Sequence, residues 1–101
     1  YAINVLDVPH VIVCGHDNCG ALKAAMGPAS NGVVDHWLSD IRNTLRWHKE
    51  ELDACQDPKE KLAKLAELNV MQQLGILSRT PVIRDAWERG KRPMLHGWVY
   101  D

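Results

Sequence analysis

The sequence has 101 residues, 46% of them hydrophobic and 25% charged, with twelve Lys+Arg against thirteen Asp+Glu. That length holds one domain at most, and the composition is that of a folded chain rather than a disordered one. A net charge of −1 gives no basic field for nucleic acid or an anionic membrane, and the longest apolar runs are too short to span a bilayer, so neither is an expected partner.

No initiator Met and no signal-peptide pattern open the chain. Its first residues, Tyr1 to Leu6, read as the middle of an element, so a fragment of a longer protein is the expectation. The three cysteines, Cys14, Cys19 and Cys55, do not make a disulfide framework. A reducing compartment follows: the cytoplasm, or an organelle in a eukaryote.

Residues 1–7 read as the last turns of a helix, with Tyr1, Val5 and Leu6 on one side; Pro9 cannot continue it. His10 to Gly15 is a β-branched, continuously apolar run, the pattern of a parallel strand covered on both faces. Cys14 within it reads as a small buried hydrophobe. Asn18 to Met26 is short, Ala-rich and helical, and 27–32 is a loop. Val34, Leu38, Ile41, Leu45, His48 and Leu52 then fall at helical spacing, with Asp40, Arg42, Asn43 and Lys49 opposite. Cys55 falls in a surface loop. Asp57-Pro58 is an N-cap followed by proline at the first helical position, opening a second helix through Leu77. Thr80-Pro81 stops it and starts a short helix that Gly90 ends. Residues 93–100 read as a second strand.

Strands separated by helices predict an α/β fold, a parallel sheet flanked by helices. Two strands are too few to stand alone, and long apolar helix faces with four Trp need a partner surface.

The stretch with chemistry is Cys14-Gly15-His16-Asp17-Asn18-Cys19-Gly20. It lies at the carboxyl end of a buried strand, where open α/β sheets hold their sites. His16 and Cys19 stand three apart across a strand-to-helix turn, a separation at which imidazole and thiolate can converge on one tetrahedral zinc. A helix start favours the negative charge of a thiolate. The Gly20 amide points at whatever the site holds. Spacing alone favours a strand-end histidine satisfied by backbone and a buried cysteine over a metal pair. Asp17 is either near such a metal or a solvated turn carboxylate. His10 and His96 are either ligands or satisfied core histidines, while His36 and His48 are surface or interface positions. Trp37, Trp47, Trp87 and Trp98 read as packing or subunit contacts. Asn69 and Gln73, one turn apart on an apolar helix, bond either buried backbone near the site or a helix interface.

Val11-Ile-Val-Cys-Gly-His-x-x-Cys-Gly-Ala21 resembles the second half of the zinc site of β-class carbonic anhydrases. The resemblance continues through Trp37-Leu38-x-x-Ile41-Arg42, Glu67 to Gln73, Ala86-Trp87-x-Arg89-Gly90 and His96 to Asp101, and is greatest to bacterial-type members. It implies that His16 and Cys19 are two of three protein ligands to Zn²⁺. The third, a Cys in an upstream Cys-x-Asp-x-Arg motif, is not in these 101 residues. It implies further that the Gly20 amide holds substrate and that Tyr100 lines the non-catalytic bicarbonate pocket of allosteric members. The implied activity is hydration of CO₂ to bicarbonate by a homodimer or homotetramer, with zinc acidifying its bound water. With two thiolate ligands that water is less acidic than on three histidines, so an alkaline pH–rate profile is expected of the intact enzyme. The 101 residues alone are expected to be inactive. A CS₂ or COS hydrolase on the same scaffold and a non-catalytic assembly fragment remain as alternatives.

Overall fold

The structure, a computed structural model, describes residues 1–29 and 32–101. Of the expected loop at 27–32, Ser30 and Asn31 lie outside the described residues. Two strands, β1 (His10–His16) and β2 (Met94–Tyr100), form the parallel pair that the sequence predicts. The register puts His10 opposite Met94 and His16 opposite Tyr100. Among the described residues six helices lie between them: α1 (Gly20–Met26), α2 (Val33–Trp37), α3 (Ser39–Trp47), α4 (Lys49–Asp53), α5 (Pro58–Ser78) and α6 (Pro81–Glu88).

Helix α5 is the longest and begins as its sequence dictates. The Asp57 carboxylate accepts the Lys59 amide at 3.0 Å, and Pro58 occupies the first turn, where no internal partner for its nitrogen is needed. One side of α5 packs on the helical core, where Leu65 and Ala66 join Leu22, Ala25, Leu38, Ile41 and Leu52. Another side lies against the strands. Helix α6 ends at Gly90, in the left-handed region at φ 70°. Trp87 Nε1 donates to the Pro93 carbonyl at 2.7 Å, tying α6 to the start of β2.

Four expectations are corrected. Residues 1–7 form turns closed by Val5 N–H to Tyr1 O at 2.9 Å rather than a helix. Asp7, at φ 49°, and Pro9 end the segment before a helix can propagate. The single helix expected over 34–52 is three, broken at Leu38 (ψ 0°) and His48 (φ −113°). Its apolar spacing persists through both breaks because Leu38 and Leu52 are still buried, while Arg42 pairs with Asp35 across the first. At the second, His48 Nδ1 donates to Glu51 at 3.0 Å and holds that carboxyl below its ordinary range. Cys14 is exposed, not buried. The expected double coverage of β1 fails for the same reason: α5 covers the face of Val11, Val13 and Gly15, while His10, Ile12, Cys14 and His16 are exposed.

The approach of α5 to the sheet is set by two glycines. A Cβ on Gly97 would lie 2.5 Å from Leu74 Cδ1 and 2.8 Å from Val70 Cγ1, and one on Gly15 would lie 2.9 Å from Val70 Cγ2. Val70 is 5% exposed and β-branched, so it has no free rotamer to yield. Gly97→Ala is therefore expected to destabilise the fold by about 1–3 kcal/mol as α5 is forced outward. Urea denaturation measures this, and an unchanged midpoint would show that the contact is soft.

Candidate functional site

The last residue of β1 is His16, and the chain turns at once. The Asp17 amide donates to the Tyr100 carbonyl at 2.8 Å, which fastens the turn to the end of β2. The Asp17 carboxylate accepts the Asn18 amide at 2.9 Å. Asn18 sits at φ 54°, a conformation asparagine tolerates well. Cys19 follows as the N-cap of α1, its carbonyl accepting the Lys23 amide at 3.1 Å. The Asp17 side chain is thus employed in shaping the turn.

His16 Nδ1 lies 2.9 Å from the Asp17 carbonyl. A carbonyl only accepts, so Nδ1 carries a proton, and in the neutral ring the lone pair is on Nε2. Backbone bonds of this kind orient a ligating histidine and fix its tautomer. His16 and Cys19 line one cavity of about 360 Å³, with Trp37, Asp40, Ile41, Ala66, Asn69 and Gln73 among its other walls. Imidazole nitrogen and thiolate sulfur are zinc donors, so the residue pair His16 and Cys19 fits that metal as half of a ligand set. Among the described residues, no three His, Cys, Asp or Glu side chains come together as a metal-binding group.

The other candidates fall elsewhere. His10 Nδ1 and His96 Nε2 are 2.9 Å apart, so these histidines satisfy each other, and neither lines the cavity. Gly20 opens α1 and is exposed; a Cβ there would meet nothing within 4 Å, so the chain's own packing does not demand glycine. Tyr100 is 75% exposed at the end of β2 and outside the cavity. Asn69 and Gln73 do line the cavity, but Asn69 Oδ1 has no hydrogen-bond partner among the described residues, so the expected bond from it to buried backbone is not seen. Asp40, expected on the polar face, is exposed and also lines the cavity beside Ile41. The break at Leu38 has neither glycine nor proline, but Ser39 and Asp40, residue types that start helices, follow it directly.

Comparison with known proteins agrees with this architecture. The sequence model of the family described as "Carbonic anhydrase" matches residues 1–101. A carbonic anhydrase of Emericella nidulans is 41% identical over 101 residues, covering all of this chain and 44% of the relative. Carbonic anhydrase 1 of Escherichia coli O157:H7 is 37% identical, covering all of this chain and 46% of the relative. Among solved structures, the β-carbonic anhydrase of Coccomyxa in complex with acetazolamide superposes with a TM-score of 0.92 at 35% identity, over 99% of this chain and 46% of that one. One of two tetrameric β-carbonic anhydrases from Sordaria macrospora gives 0.85 at 36%, over 98% and 51%. The chain belongs to the carbonic anhydrase family. Within it, the chain is a partial piece of the β class, the class of both solved structures. It spans less than half the length of these two curated relatives.

Proposed function

We propose that the protein containing these residues hydrates CO₂ reversibly to bicarbonate at a zinc held in part by His16 and Cys19. The observation that carries the reading is the orientation of His16. Its Nδ1 is committed to the Asp17 carbonyl, and Nε2 is left for a metal in the cavity that Cys19 also lines. The carbonic anhydrase relatives at 37–41% identity support CO₂ over CS₂ or COS as substrate.

Zinc in such a site makes hydroxide available near neutral pH. The chain's own residues supply the rest. Leu22, Ile41, Ala66 and Trp37 form an apolar wall suited to a small substrate that has no hydrogen-bond donor. The Gly20 amide is proposed to hold a substrate oxygen. Tyr100, exposed and not among the residues that line the cavity, is proposed for a separate bicarbonate pocket of the allosteric kind. The free thiols support a reducing compartment such as the cytoplasm.

Three measurements test this reading. In the full-length protein, Cys19→Ser should abolish stoichiometric zinc by elemental analysis; full zinc content in that variant would show that the ligand is another residue. Stopped-flow assays should find CO₂ hydration by the full-length protein and none by the 101 residues alone with zinc supplied. Two donors hold the metal weakly, and a misplaced nucleophile alone costs about 10²-fold in rate. A rate in the isolated chain matching the full-length protein would mean that other residues here complete the site.

The assembly proposed is a homodimer or homotetramer. Val33, Trp37 and Trp47 are 86%, 70% and 65% exposed, a large apolar surface for a monomer to leave in water. Light scattering after size exclusion should show no stable monomer of the full-length protein. A folded monomer at micromolar concentration would contradict the assembly.

A further inference from the structure

Asn69 stands on α5 between Ala66 and Val70, which are 3% and 5% exposed. Its Oδ1 is shut off from solvent and has no hydrogen-bond partner among the described residues. An acceptor stranded in a dry wall destabilises a fold unless a donor reaches it, and a leucine there would carry no such cost. So the donor is to be sought beyond the contacts described.

The surroundings indicate where the donor enters. Asn69 lines the cavity of His16 and Cys19. Residues 14–16 of β1 line that cavity and no residue of β2 does, so it lies away from β2, where the edge of β1 is unpaired among the described residues. Cys14, His16, Cys19 and Asp40 line the cavity, yet no three such side chains among the described residues come together as a metal-binding group, whereas a zinc site has three or four protein ligands. One entering segment would meet both needs.

We propose that Asn69 Oδ1 accepts a hydrogen bond from the segment that brings the third zinc ligand into this cavity, making Asn69 a positioning residue for the metal. The inference rests on the zinc reading above. Asn69 is suited to the task because its backbone cannot drift. The positions either side of it on α5 meet Gly15, one residue before His16: a Cβ there would be 2.9 Å from Val70 Cγ2 and 3.6 Å from the Ala66 carbonyl. The carboxamide is therefore fixed relative to His16, and an incoming segment must register on it. An oxygen already closed to water also suits a fixed N–H packed against the wall better than a small ligand that exchanges.

The experiment is the zinc dissociation constant of the full-length protein, measured by competition with a chromophoric chelator. Asn69→Leu should weaken zinc about ten- to hundredfold, the usual cost of removing a group that orients a ligand, with helical circular dichroism unchanged. Asn69→Asp keeps an acceptor oxygen in place and should retain wild-type affinity. If the leucine variant does not fold, Asn69→Ala is read in the same way. Wild-type affinity in the leucine or alanine variant overturns the proposal, and so does an aspartate variant that loses as much as the leucine one. Weakened bicarbonate binding with zinc affinity unchanged would assign the oxygen to a ligand and also overturn it. If Cys19→Ser keeps full zinc, the zinc reading itself fails and this inference falls with it. If only Asn69→Leu keeps its affinity, this inference alone fails.

Discussion

How close α5 comes to the strands decides most of this structure. Val70 fits between Gly15 and Gly97 with no room for a Cβ on either. That contact draws the stretch from Ala66 to Gln73 over the end of β1, and it is why Asn69 and Gln73 reach the cavity beside His16. The same helix packs Leu65, Ala66 and Leu68 into the helical core. An element buried on two sides must be apolar around most of its circumference. A polar residue kept in such a helix is therefore informative, and Asn69 is one.

The turn from His16 to Cys19 shows how little sequence is needed to orient an imidazole, here that of the proposed zinc ligand His16. Its backbone is held from outside by the bond between the Asp17 amide and the Tyr100 carbonyl. From within it is held by the Asp17 carboxylate on the Asn18 amide, with Asn18 supplying the left-handed residue. The consequence is chemical as well as geometric, because the Asp17 carbonyl then meets His16 Nδ1 and fixes which nitrogen bears the proton. Register thus reaches the imidazole: β2 holds the turn, and the turn sets the tautomer.

Much of this was legible in the residues. The parallel pair, the cap at Asp57-Pro58 and the stop at Gly90 each follow from local chemistry that nothing downstream overrides. The joint placement of His16 and Cys19 follows from a strand ending where a helix begins. The failures have a common origin, since periodicity records which residues are buried and not what buries them. Leu38 and Leu52 keep their spacing although the helix breaks twice between 33 and 53, so the apolar pattern does not record the breaks. Cys14 sits in a run that reads as covered on both faces, yet only one face of the strand has cover among the described residues. Its composition answers to packing that lies outside the contacts described.

That last point joins the assembly to the site. Trp37 lines the cavity and is also 70% exposed, so one side chain belongs both to the wall of the site and to the apolar surface left bare. Burying such a side chain is worth about 1.5–3 kcal/mol on transfer grounds. Under the proposed assembly, a surface that covers Trp37 also narrows the mouth of the cavity, and exclusion of water strengthens every polar interaction within it. Residues 14–16 of β1, whose outer edge is unpaired among the described residues, line the same cavity as Asn69. Under the proposed function, apolar burial, strand pairing and ligand completion would then be drawn to one place on this chain, and one neighbouring structure would serve both the fold and the proposed metal site.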